Sequence, residues 1–115
     1  RYSEYNLSGK PILNEEYADG KRVRYNICEY DSNGNITREY TYHEDSKRSY
    51  ETFFNEKAHV TKYIARKAEK ITYIEEYFED KTRKVTSWDS FLERYDIFYY
   101  DANNNVIKSE TADTI

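Results

Sequence analysis

The feature that most constrains this chain is that it repeats itself, with a period of about 24 residues. Tyr30-Asp31-Ser32-Asn33-Gly34-Asn35-Ile36 sets an aromatic residue, an Asx residue, a turn pair and a β-branched residue in fixed order. Phe54-Asn55-Glu56-Lys57-Ala58-His59-Val60 follows it class for class, and Tyr100-Asp101-Ala102-Asn103-Asn104-Asn105-Val106 does so again. A fourth copy read from Phe78 reaches its β-branched residue, Val85, one position late. Read this way, the units begin at positions 30, 54, 78 and 100, in steps of 24, 24 and 22.

Turn chemistry gives the unit its shape. Asn33-Gly34 is a strong hairpin signal because both residues tolerate positive φ, and Asn103-Asn104 can adopt the same turn at greater cost. Asp31 and Asp101 can accept hydrogen bonds from nearby backbone N–H groups. A calcium loop built on Asp31, Asn33 and Asn35 is disfavoured, because Tyr42 stands where the twelfth-position glutamate belongs. Secondary breaks near Glu44-Asp45-Ser46, Arg66–Glu69 and Trp88-Asp89-Ser90 complete a unit of strand, Asx turn, strand and second turn. Strands are expected near 21–30, 35–43, 47–54, 59–66, 70–78, 83–88, 91–100 and 105–110. Residues 1–20 are expected to be an irregular segment holding two degenerate turns that can add one or two short strands, with Pro11 at an edge or in a loop. Asn55–Phe78 also reads as an amphipathic helix with Val60, Ile64, Ile71, Ile74 and Phe78 near heptad spacing. Lys67 on that seam, the strand-favouring Thr61, Tyr63, Thr72 and Tyr73, and the repeat register favour a hairpin instead.

Composition narrows the architecture. Fourteen Tyr, five Phe and one Trp outnumber the 16 Val, Ile and Leu, so aromatic rings must supply much of the buried surface. Tyr25 and Ile27 share one face of their strand, as do Tyr40 and Tyr42 of the next; Phe91, Tyr95, Ile97 and Tyr99 oppose Leu92, Phe98 and Tyr100. Strands apolar on both sides point to a single all-β domain, an antiparallel meander of about eight strands in a curled or rolled sheet; barrel-like closure and an open meander are the other arrangements. A net charge of -4 argues against a general grip on nucleic acid. No stretch approaches the ~20 apolar residues of a membrane helix. The lone Cys28 excludes an intrachain disulfide and a cysteine-based zinc site.

The units at Tyr30–Ile36 and Tyr100–Val106 resemble the tyrosine–aspartate (YD, or RHS-type) repeat, Tyr-Asp-x-x-Gly-Asn/Arg-Ile/Leu. They are similar still to small secreted Bacteroidetes proteins of unknown function that repeat Tyr-Asp-x-x-Gly-Asn hairpins, with a Trp-containing second turn like Trp88-Asp89-Ser90. The resemblance covers about residues 21–110, and Ala58, Thr82 and Asn104 depart from it where the turn glycine should stand. It implies antiparallel hairpins and export, and no catalytic residue. A first residue Arg1 and the absence of methionine fit a trimmed leader, so a secreted, periplasmic or cell-surface location is expected.

Chemistry-bearing motifs are few. His59 matches the turn positions of Asn35 and Asn105, and His43 lies at a strand end beside Glu44 and Asp45. A metal pair of the two lacks any recognised ligand spacing. Cys28 has no evident activating histidine, and Glu15-Glu16 and Glu75-Glu76 alternate faces on a strand. No phosphate loop, dinucleotide fingerprint or nucleophile elbow occurs, so no cofactor and no enzymatic activity is expected. The favoured reading is a binding module for carbohydrate, peptide or protein, with Trp88, Tyr40, Tyr42 and Tyr99 as its ligand-contacting rings. The alternative is an assembly protein that pairs through open sheet edges.

Overall fold

The computed structural model describes residues 1–115 and contains ten strands. These are β1 (Tyr2–Tyr5), β2 (Pro11–Ala18), β3 (Lys21–Tyr30), β4 (Ile36–His43), β5 (Arg48–Phe54), β6 (Val60–Lys67), β7 (Lys70–Tyr77), β8 (Arg83–Asp89), β9 (Arg94–Tyr100) and β10 (Val106–Ala112). They form one antiparallel meander in which every strand pairs with its neighbours in sequence. The ambiguous segment Asn55–Phe78 is the β6–β7 hairpin with its flanking turns, not a helix.

The five main turns share one hydrogen-bond pattern. Asp31 N–H donates to the Asn35 carbonyl (2.9 Å), and Gly34 N–H to the Asp31 carbonyl (3.0 Å). The same two bonds recur at Asn6, Asn55, Phe78 and Asp101. At four of the five sites the Asx side chain accepts two further N–H groups; for Asp31 these are Asn33 and Asn35, both at 2.9 Å. The residue that must turn left-handed is Gly9, Gly34, Ala58, Lys81 or Asn104, with φ between 62° and 81°. The glycine-free turns thus adopt the glycine geometry at a steric cost.

Pairing across these turns corrects the register read from sequence. Tyr5, Tyr30, Phe54, Tyr77 and Tyr100 each pair with the residue six positions on. The fourth unit therefore begins at Tyr77, and Phe78 occupies the Asx position. In the other units a bulge residue follows this pair: Ile12, Thr37, Thr61 or Ile107. The β7–β8 hairpin has none, and its strands leave the turn in unbroken register.

Three expectations are overturned. There are ten strands rather than about eight, because residues 1–20 form a first complete hairpin around Asn6. Pro11 opens β2, where its missing N–H is tolerated. The strand expected from residue 91 begins at Arg94, leaving Phe91 and Leu92 exposed in a turn whose N–H groups bond Asp89 Oδ1. The sheet is neither rolled nor closed: strands pair only with their neighbours in sequence, and β1 does not meet β10.

The result is a single-layer slab of 45 × 36 × 20 Å. Its radius of gyration is 16.9 Å, against roughly 13 Å for a two-layer globule of this length. Only nine residues are buried, and no side chain falls below 2 % exposure. Long side chains lying along both faces take the place of a second layer. The backbone ladder is correspondingly important, with 59 of 71 backbone hydrogen bonds inside strands.

Candidate functional site

Direct partners in an antiparallel ladder share a face, so the register assigns every strand residue to one side. One face carries a central row of Ile27, Tyr40, Glu51, Ile64, Ile74, Thr86 and Ile97. It holds most of the buried residues, including Ile64, Ile74, Tyr95 and Ile97. All four ring positions singled out from sequence, Tyr40, Tyr42, Trp88 and Tyr99, stand half-buried on this face, but in three separate places.

Tyr40 and Tyr42 lie together. With Tyr25 of β3 they form a tilted cluster, centroids 6.0 and 5.4 Å from Tyr25. The cluster borders an open hollow of about 860 Å³, completed by Arg38, Lys47, Ser49, Glu51 and Arg66. Trp88 sits on β8, four strands or about 19 Å away. It packs edge-on to Tyr95 (4.8 Å), with the Lys70 ammonium over its ring at 3.7 Å. Tyr99 on β9 donates its hydroxyl to Glu110 (2.6 Å) and lies between Lys84 and Lys108.

The centre of the hollow was not legible as a site. Glu51 occupies the position, three residues before the aromatic turn residue, that holds Ile27, Ile74 and Ile97 in other units. It is 8 % exposed. Arg38 Nε donates to Glu51 Oε2 from β4, and Arg66 Nη1 to Oε1 from β6 at 2.9 Å. Burial alone would raise the Glu51 pKa; the hydrogen bonds from Arg38 and then Arg66 reverse this, and the carboxyl is held below its ordinary value. Arg38 also stacks on Tyr40, its guanidinium carbon 5.3 Å from the ring centroid. The signal in the sequence was a lone glutamate in an isoleucine column; it becomes visible only when the fourth unit is read from Tyr77.

The other face holds the remaining chemistry-bearing residues. Cys28 is buried there, its thiol pushed up by burial first and by Glu39 next. Its row contains Glu39, Thr52, Tyr63, Glu75, Val85 and Phe98. His43 meets Tyr50 edge-on at the second-turn end of β4, whereas His59 lies in a main turn at the opposite end of the sheet. The two histidines do not meet.

Compared with known proteins, the sequence matches no protein-family model and no curated protein. No helix of the structure is long and apolar enough to cross a membrane.

Proposed function

We propose that this chain is a non-enzymatic binding module that receives its ligand on the tyrosine-bearing face around Tyr40 and Tyr42. The observation that carries this reading is the hollow itself. Three tyrosine rings, Tyr25, Tyr40 and Tyr42, border guanidinium and carboxylate groups held in place from separate strands. Rings offer stacking surface, and the polar groups offer orientation, on strands that are paired on both sides. A glycan array and an affinity capture with wild type and a Tyr40→Ala/Tyr42→Ala variant test it. A retained ligand lost in the variant supports the module; no ligand retained by the wild type sinks it. The resemblance to secreted hairpin-repeat proteins supports an exported location, which fractionation of the source cell would check.

A second reading, assembly with another chain, draws on the surface area. The slab exposes 8109 Å², about 1,400 Å² more than the roughly 6,700 Å² expected of a folded monomer of this mass. The outer edge of β10 is open, with Val106 and Ile107 exposed. A solution mass that stays monomeric up to millimolar concentration removes this reading.

A further inference from the structure

One register row crosses the face from β4 to β10: Arg38, Phe53, Lys62, Glu76, Lys84, Tyr99 and Lys108. Cations occupy each even-numbered strand of this row, which the hairpin repeat brings back once per unit. With strands about 4.8 Å apart, the cations recur about every 10 Å over roughly 29 Å. Lys62 and Lys84 ion-pair with no carboxylate of the chain. Arg38 keeps its Nη2 donors, and Arg66 its Nε and Nη2 donors, free of protein partners. Between β4 and β10 the strands of this face present Arg38, Lys62, Arg66, Lys70, Lys84 and Lys108 against Glu51, Glu76 and Glu110. This positive stretch stands on a chain whose net charge is -4.

We infer that this face binds an acidic saccharide chain, laid across the strands from β4 to β10 with its carboxylates over the cation row and its sugar rings against Tyr99, which lies in that row, and Tyr40, which stands two residues along β4 from Arg38. The inference rests on the binding-module reading and names its ligand class. A linear saccharide with one acidic group on every second sugar repeats on the scale of two strands. Its C–H faces suit tyrosine rings, and its hydroxyls stay solvated on an open slab. An acidic peptide fits less well. Extended peptides join sheets at their edges, where backbone groups are free, and on a paired face their N–H and C=O groups meet none.

The test is calorimetric titration of wild type with hyaluronan oligosaccharides, which carry one carboxylate per two sugars. Neutral chitin oligosaccharides of equal length and poly-glutamate are the comparison ligands. Hyaluronan should bind, the neutral chain should bind at least about 10-fold more weakly, and raising the salt should weaken hyaluronan because exposed charges are screened. A Lys62→Gln/Lys84→Gln variant, with circular dichroism and Tm unchanged, should lose about 10-fold, up to ~5-fold per exposed ion pair. Equal binding of acidic and neutral chains without salt dependence overturns the acidic assignment and leaves the module reading standing. Poly-glutamate binding as tightly as hyaluronan overturns the saccharide assignment. No saccharide bound at all overturns the inference, while a ligand captured elsewhere through Tyr40 and Tyr42 would still support the module.

Discussion

Replacing Glu51 by glutamine removes the charge that joins Arg38 to Arg66 and keeps the side-chain shape. The Glu51 side chain is 10 % exposed and each arginine 26 %. Breaking a fully buried pair costs about 3–5 kcal/mol, and an exposed pair is worth about 0–1 kcal/mol. The partial exposure of both arginines puts Glu51→Gln between these limits, at about 1–2 kcal/mol, or a Tm lower by roughly 3–8 °C. Glu51→Ile restores the residue that other units carry and buries aliphatic surface worth about 1.5–3 kcal/mol against Tyr40 and Ile64, offsetting the lost pairs. It should lie within about 1 kcal/mol of wild type. The Glu51 pKa is lowered on folding, so its contribution is fully present above the unfolded value near 4.5 and is lost as pH falls through the folded value. The gap between wild type and Glu51→Gln should therefore be full at pH 7 and close in acid. Urea denaturation followed by circular dichroism measures it. A glutamine variant as stable as wild type at pH 7, or a gap unchanged at pH 3, refutes the reasoning.

Three further outcomes follow from the turns and the rings. Ala58 holds φ 62° where Gly34 holds φ 81°; Ala58→Gly should raise stability by about 0.5–1 kcal/mol and Gly34→Ala should lower it, the latter also crowding Lys10 at 3.1 Å. Tyr77, though 40 % exposed, is pushed up to about 12 by partial desolvation and by the neighbouring Glu75 carboxylate. Alkaline absorbance titration should show its ionisation well after that of ordinary tyrosines. Because the folded value is the higher one, its stabilising effect should be complete below pH 10, disappear as pH rises towards 12, and be missing from Tyr77→Phe. Cys28, buried and with a raised pKa, should react with an aromatic disulfide reagent far more slowly in the native chain than in urea; equal rates would contradict its placement.

Much of the fold is local and therefore readable. An Asx residue that accepts the N–H groups two and four positions on needs no distant partner, and neither does a left-handed residue three positions on. That is why the hairpins of residues 21–110 were legible, and why strand alternation put Tyr40 with Tyr42, and Tyr95 with Tyr99, on the correct sides. The misread start at Phe78 has an equally local cause. Phe78 fills the position that an Asx residue holds in the other turns, so a second aromatic follows Tyr77 and imitates a unit start, and only the pairing of Tyr77 with Arg83 reveals the true one.

The amino-acid order by itself determined that this chain makes hairpins, where they turn, and which rings alternate to which side, because those properties are decided within a few residues. Only the tertiary structure decided that ten strands stay in one open layer, since that depends on whether distant strands find each other, and β1 and β10 do not. It alone decided that Arg38, Glu51 and Arg66 meet, since they come from three strands whose alignment is the sum of every turn and bulge between them.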